Sequence, residues 1–420
     1  MKPLQTIILA AGKGVRMKSS LPKVLHPVCG RAMIQYVIEL AQSLRAQKTF
    51  VVLGHQNEAV KNVLPKNVEI VIQKKLLGTA DAIESCRRPL GGYRGDILIL
   101  CGDTPLLQKE TLKKLLQKHQ AAKSVCTFLT ACVDSPSGYG RVIRDSEGAV
   151  CAIREDGDAT SEEKAVNEIN TGVYCFQGRE LFEGLREISV NRRKKEFYLT
   201  DIIHILVDKG KRVETLTTPD SKEALGVNTR QDLALAQDVV RKKILEHFMR
   251  QGVTITAPET TYIDSGAQIG QDTVIRPFTV IEGRVRIGKN CIIGPFCHIR
   301  PDSVIGDNVE VGNFAEISRA SLGSGSFMKH FSFLGDTQAG KRVNIGAGVV
   351  TANFDGKTKH ETTISDDAFI GSDSILVAPV KIGKGAVTGA GSVVTKGTAV
   401  PDGGIALGVP AKIKGSKRIR

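Results

Sequence analysis

The chain carries two patterns of apolar positions, and one gives way to the other near residue 253. Through residue 228, short apolar runs rich in β-branched residues alternate with stretches of helical period. The runs QTIILAAG, KTFVVLGH, NVEIVIQ, GDILILCGD and VCTFLTACV read as buried strands. RAMIQYVIELAQSLRAQ and KETLKKLLQKHQAAK, between them, read as helices. This alternation predicts an α/β domain with a mostly parallel sheet, in which ligands gather at the carboxyl ends of the strands. TRQDLALAQDVVRKKILEHFMRQG then reads as one long helix that ends at Gly252 and connects two domains.

Beyond it, an aliphatic residue recurs every sixth place: Ile263, Ile269, Ile275, Ile281, Ile287, Ile293, Ile299, Ile305, Val311 and Ile317. Such a run fits neither the 3.6 period of a helix nor the 2 of a strand. It is the hexapeptide repeat of a parallel β-helix, in which each unit is a short strand plus a corner with the aliphatic side chain inward. Solenoids of this class are left-handed, an exception to the right-handed crossover rule. Glycine follows the aliphatic at 270, 288, 294, 306 and 312. It is expected to relieve the corner by adopting backbone angles closed to other residues. The phase slips by one to Leu322, resumes at Met328 and Leu334, and returns from Ile364 to Val394. Between Gly346 and Ile364 it weakens, which predicts a loop protruding from the solenoid.

Composition narrows the setting. Of 420 residues, 41% are hydrophobic and 24% charged, as in ordinary globular proteins. No apolar run is long enough for a membrane helix, and TIILAA is too short and too soon followed by charge for a signal peptide, so a cytoplasmic protein is expected. The nine cysteines are scattered, with no CxxC, which argues against a disulfide framework or a structural zinc site. A net charge of +14 favours anionic partners. The two dense basic runs, NRRKKEF and GSKRIR, lack the interleaved aromatics of a nucleic-acid surface. Small anionic substrates are therefore expected, with no nucleic acid and no membrane as partner.

Candidate chemistry begins in LAAGKGVRM, directly after the first strand. It lacks the P-loop spacing, and Met17 stands where a dinucleotide fingerprint has its third glycine. What remains is a glycine-rich turn whose amides can cradle an anion, with Arg16 and Lys23 close by. Asp103 ends a buried strand in LILCGDTPLL, a place that suits a turn acid as well as a metal ligand. His330, in SGSFMKHFSFLGD, could be a general base or a residue that only fills the repeat.

In order along essentially the whole chain run LAAGKGVRM, LPKVLH, QKKLLGTA, CGDTPLL, GYGRVIR, NEINTGVY, YLTDII and GVNTR, then VGNFAEI, VNIGAG, NFDG and GSDSILVAPV. With these motifs the chain resembles the sugar nucleotidyltransferases. With its repeat it resembles the family of bifunctional N-acetylglucosamine-1-phosphate uridyltransferases/glucosamine-1-phosphate acetyltransferases. The resemblance implies a Rossmann-like α/β nucleotidyltransferase domain (1–228), a linker helix (229–252) and a left-handed β-helix acetyltransferase domain with a C-terminal tail (253–420). It implies a homotrimer, with the acetyl site formed between subunits. The implied substrates are UTP, acetyl-CoA and sugar phosphates, the cofactor is Mg²⁺, and the product is UDP-N-acetylglucosamine.

Residue by residue, the resemblance implies that Asp103 and Asn228 hold Mg²⁺ through hard oxygen atoms. Leu9, Ala10, Gly12, Gln73, Gly78 and Thr79 would contact UTP, and Arg16 and Lys23 its phosphates. Gly140, Glu155 and Asn170 would hold the N-acetylhexosamine. In the acetyl half, His330 falls at the general-base position; Asn353 matches the Asn that helps orient substrate and histidine, Arg300 and Asn344 match sugar-phosphate and amine contacts, and Ala347, Ser372 and Ala390 the coenzyme A groove. Two positions depart from the family: Ser318 stands for a phosphate-gripping Lys, and Phe333 for a Tyr. Neighbouring Arg319 could replace the lost charge only if an altered corner turned it toward the site. A second reading therefore keeps the nucleotidyltransferase alone, with the β-helix as trimerisation scaffold. A third, a non-catalytic regulatory subunit on the same folds, sits poorly with Arg16, Lys23, Asp103 and Asn228 all present. The ending GVPAKIKGSKRIR also resembles that of other hexapeptide acyltransferases.

Overall fold

The computed structural model describes residues 3–416 apart from 55, 56, 91 and 192. The end of the basic tail (417–420) and one residue of NRRKKEF lie outside the described residues. The chain forms two compact units, Met1–Asp238 and Val239–Arg420, and the division falls inside the helix Arg230–Arg250.

The first unit is built on a sheet ordered Val213–Thr217, Cys126–Cys132, Glu168–Gln177, Asp96–Cys101, Leu4–Ala10, Lys48–Leu53, Glu69–Ile72. Glu168–Gln177 runs antiparallel to both neighbours and the other pairings along this path are parallel. Successive residues of the first strand bury on opposite faces. Ile7 packs with Phe50, Ile99 and Phe128, while Ile8 packs with Val51, Leu100 and the helix residues Ile34 and Ile38. A strand covered on both faces reads as a continuous apolar run, which is why these strands were legible. From the first strand the chain steps to Lys48–Leu53 on one side and later returns to Asp96–Cys101 on the other. That reversal leaves a crevice outside the carboxyl ends of Leu4–Ala10 and Asp96–Cys101, where an open α/β sheet binds ligands.

The second unit is a parallel β-helix of three sheets of short strands. Ile263, Ile281, Ile299, Ile317 and Leu334 stack coil upon coil in the middle sheet, and the aliphatic residues of all three sheets form one core. Leu245 and Phe248, late in the helix Arg230–Arg250, join the core beside Val253 and Ile255 of the first coil. They cover an end of the stack that would otherwise meet water. Lys412–Ser416 folds back antiparallel on Gly404–Leu407 at the other end.

The expected role of the repeat glycines needs correction. Gly270, Gly288, Gly306 and Gly312 do not have positive φ; of the five, only Gly294 does. Positive φ recurs three residues after the aliphatic, at Asp272, Phe278, Arg284, Asn290, Phe296, Asp302, Asn308 and Phe314. The glycines are needed because neighbouring coils approach so closely: a Cβ on Gly270 would lie 2.6 Å from the Gly288 carbonyl carbon, and one on Gly306 2.6 Å from the Ser324 nitrogen. A Cβ on Gly312 would collide with the Lys329 backbone. Gly312→Ala is therefore expected to destabilise the protein by about 1–3 kcal/mol, seen as a lower unfolding midpoint; an unchanged midpoint would contradict close approach.

The register slips twice, not once. Ile299 stacks on Ile317, 18 residues on, but Ile317 stacks on Leu334 and Leu322 on Ala339, each 17 on. The second slip, from Leu334 to Ala339, was hidden because alanine is a weak apolar signal. At both shortened corners the positive φ falls two residues after the aliphatic, at Arg319 and Asp336. The protruding loop is also narrower than expected. Val350–Ala352 stays in register and Thr351 is buried, so the excursion spans 353–361.

Candidate active sites

In the crevice of the first unit, two tight turns bring the basic residues together. Gly14 sits at φ 62, and a Cβ there would lie 2.6 Å from the Lys23 Cβ, so the turn Val15–Met17 can rest against Lys23–Leu25 only with glycine at 14. Lys23 Nζ donates to Asp103 Oδ2 and, at 3.0 Å, to Asn228 Oδ1; Arg16 Nη2 donates to the same Asn228 oxygen at 2.9 Å. Residues from three distant segments thus meet at one point.

Asn228 is held by its neighbours. Its N–H and that of Thr229 donate to Asp232 Oδ2 at 2.9 and 2.8 Å, and Thr229 Oγ1 accepts from the Asp232 N–H at 3.2 Å. This is the arrangement of a capping box at the start of the helix Arg230–Arg250, with Asp in place of Glu. The Thr-x-x-Asp spacing is its signal, and sequence reasoning passed over it. Tyr139 lies near the Asp232 cap. Burial, then the Asp232 carboxylate, raises its phenol above the usual range, and the Gly226 amide partly offsets them. No sequence signal marks it beyond its place beside Gly140.

The other expected nucleotide residues surround this crevice in parts. The Leu9 carbonyl accepts from the Gly102 N–H at 2.9 Å, Ala10 is buried, and Gly12 is exposed with open space where a Cβ would stand. Buried Gln73 donates from Nε2 to the Gly78 carbonyl at 3.1 Å and to Asp81 Oδ2 at 2.7 Å. Gly78 has φ 105, and a Cβ there would lie 2.5 Å from the Phe197 carbonyl. Thr79 Oγ1 accepts from the Leu199 N–H at 3.0 Å.

The expected sugar residues gather around Tyr174. The Asn170 N–H donates to the Gly140 carbonyl at 2.8 Å, and the Asn170 Oδ1 accepts from the Gly172 N–H at 3.1 Å, close to the buried Tyr174. Between Asn170 and Tyr174 the strand bulges, a device that re-aims side chains beside sites. Burial raises the Glu155 carboxyl above the usual range; Thr200 Oγ1, donating to it at 2.9 Å, opposes that.

In the β-helix, register sorts the expected residues into two columns and one outlier. His330, Ala347, Ser372 and Ala390 occupy equivalent places in successive coils. The Asp373 N–H donates to the Ala347 carbonyl at 2.6 Å and the Gly391 N–H to that of Ser372 at 2.8 Å, tying this column together. His330 is exposed, and among the described residues its ring makes no hydrogen bond. The second column lies at the corner that follows the middle sheet, where the two shortened corners and the loop succeed one another. There Arg300 is followed by Ser318, then Gly335, with Asn353 just beyond the next coil. Asn344 lies in a different sheet, paired with Phe327 and Phe369.

The corner that carries Arg319 is altered. At φ 50 its guanidinium turns back to donate to Ser318 Oγ at 2.9 Å and grips Asp336 in bidentate fashion, at 2.6 and 3.0 Å. Asn353 Nδ2 donates to the same Asp336 carboxylate, and Arg319 before all else holds that carboxyl below the usual range. A Cβ on Gly335 would lie 2.6 Å from Asn353 Nδ2 and 2.7 Å from the Phe333 ring, so Phe333 and Asn353 both press on Gly335. Arg300 Nη1 pairs with Glu316 at 2.9 Å. Both guanidinium groups of this column are thus matched to carboxylates.

The chain matches the family model for nucleotidyl transferases over residues 5–232 and that for bacterial transferase hexapeptide repeats at 266–297, 284–319 and 361–396. It is 45% identical to the bifunctional protein GlmU of Shouchella clausii, with 93% of each chain covered. The same protein of Halalkalibacterium halodurans is 43% identical over 93% of each chain, and that of Listeria monocytogenes serotype 4a 41% identical over 97% of this chain and 96% of the other. Likeness at this level along both units shows that the chain belongs to the GlmU family, the bifunctional uridyltransferases/acetyltransferases of UDP-N-acetylglucosamine synthesis.

Proposed function

We propose that each unit carries one of the two reactions. In the β-helix, the amine of glucosamine-1-phosphate attacks the thioester carbonyl of acetyl-CoA, His330 accepts the amine proton, and coenzyme A leaves as the thiol. Arg300 holds the sugar phosphate and Asn344 contacts the amine, Asn353 helps orient the substrate and His330, and Ala347, Ser372 and Ala390 line the coenzyme groove running coil by coil away from His330. A homotrimer, with the site completed by a neighbouring copy, fits the family reading.

In the α/β unit, a phosphate oxygen of N-acetylglucosamine-1-phosphate attacks the α-phosphorus of UTP in line, and pyrophosphate leaves. The nucleophile is already ionised at neutral pH, so the residues position and neutralise rather than remove a proton. Leu9, Ala10, Gly12, Gln73, Gly78 and Thr79 seat the nucleotide; Gly140, Glu155 and Asn170 seat the sugar. The observation that carries this reading is the meeting of Arg16, Lys23, Asp103 and Asn228 at one point.

The same point fits a magnesium ion. Asp103 Oδ2 and Asn228 Oδ1 both accept from the Lys23 ammonium, so two hard oxygens already address one positive charge. Among the described residues no group of three or more His, Cys, Asp or Glu side chains could hold a metal, which suits an ion that takes its other ligands from phosphates and water. When bound, the ion would neutralise charge on the triphosphate and the leaving pyrophosphate.

Two assays on one preparation test this reading. EDTA is expected to stop pyrophosphate release from UTP and N-acetylglucosamine-1-phosphate, with recovery in excess Mg²⁺. It should leave thiol release from acetyl-CoA and glucosamine-1-phosphate untouched. Pyrophosphate release that persists in EDTA would overturn the metal assignment. The pairing of Arg300 and Arg319 with carboxylates favours a second reading, an altered acetyl acceptor or a scaffold alone. Pyrophosphate release with no thiol release would select it.

A further inference from the structure

We propose that Arg230 is a positioning residue for uridylyl transfer, a clamp that fixes the Arg16 and Lys23 turns against the segment carrying Asn228. This rests on the reading that Arg16, Lys23, Asp103 and Asn228 form the uridylyl site. Arg230 Nε donates to the Met17 carbonyl at 3.2 Å, one residue beyond Arg16, and Nη1 donates to His26 Nδ1 at 3.2 Å. Arginine can only donate, so Nδ1 of His26 must be the acceptor and the ring must be neutral. Burial first, and then the Arg230 charge, lowers the pKa of His26, which agrees with a neutral ring. His26 is 3% exposed, and its backbone N–H donates to the Lys23 carbonyl at 3.2 Å.

One side chain therefore holds the turn after Arg16 and, through a buried ring, the turn that begins at Lys23. It stands two residues beyond Asn228, on backbone already pinned by Asp232. Arg16 and Asn228 are 212 residues apart in sequence and Lys23 and Asn228 205, so the two turns must be held against a segment that the chain itself does not keep near them. Catalysis by positioning is sensitive to such supports, since a displacement near 1 Å can cost about a hundredfold.

The experiment compares four variants in full-length enzyme, with melting temperature and acetyl transfer as folding controls. Arg230→Ala is expected to lower kcat for uridylyl transfer about ten- to a hundredfold, with KM for UTP changed far less. His26→Asn, whose Oδ1 can accept where Nδ1 does, is expected to retain most of the turnover, whereas His26→Leu falls with Arg230→Ala. Arg16→Ala is run beside them. Loss of turnover in Arg16→Ala but not in Arg230→Ala overturns the clamp and leaves the site reading intact. His26→Asn falling as far as His26→Leu also overturns the clamp, because the ring would then matter for packing and not as an acceptor. Arg16→Ala with kcat and KM for UTP both unchanged overturns the site reading itself.

Discussion

Replacing His330 with alanine is expected to lower acetyl transfer about 10²- to 10⁴-fold while leaving uridylyl transfer unchanged. The alternative, a histidine that fills the repeat, predicts a loss of stability instead. Its neighbours decide between them. Met328 and Leu334 occupy the inward positions on either side and are fully buried, while His330 is exposed and supports nothing in the core. Removing an exposed ring without partners should shift stability by no more than about 0.5 kcal/mol. Loss of activity at unchanged melting temperature therefore points to proton transfer. The column Ala347, Ser372 and Ala390 begins one coil above His330, which puts the ring at the head of the proposed coenzyme groove. Thiol release by His330→Ala at the wild-type rate, with uridylyl transfer also intact, would return the residue to the repeat.

Much of this architecture was open to reading in the chain. A period of six over ten units admits one fold, and strands buried on both faces announce themselves as unbroken apolar runs, as Ile7 and Ile8 show by packing on opposite sides. What stayed hidden depends on contacts between coils or on single hydrogen bonds. Whether Gly312 is needed for its φ or for its missing Cβ cannot be told from a string, because the obstacle is the Lys329 backbone one coil away. The shortened corner at Ser318 and Arg319 was visible as a phase slip, yet its consequence, a guanidinium turned back to Ser318 and locked to Asp336, follows from a positive φ that no spacing encodes. In the first unit the motifs named Arg16, Lys23, Asp103 and Asn228. The Asp232 cap and the Arg230 contacts that hold them had weaker signals, because such supports are chosen for reach and not for chemistry.

Arg16→Ala is expected to lower uridylyl turnover about a hundredfold or more, and the reason lies in how the two cations of the crevice are spent. Lys23 is bound to the Asp103 carboxylate, so much of its charge is already answered. Arg16 is exposed; its one side-chain hydrogen bond in the crevice goes to a neutral amide, Asn228, and among the described residues it forms no ion pair. Its positive charge is thus the more available for the triphosphate. Charge on the phosphates must be stabilised as the bond to pyrophosphate breaks, and a preorganised cation does this without reorganising at the moment of reaction. Arg16→Lys should recover only part of the rate, since an ammonium keeps the charge but loses the planar fork that can hold an amide and a phosphate together. Pyrophosphate release measured at saturating UTP separates this from weaker binding: a fall confined to KM would make Arg16 an anchor for the nucleotide, and a fall in kcat makes it part of the catalytic electrostatics. Acetyl transfer by the same variant should be unaffected, because every contact Arg16 makes lies within the α/β unit.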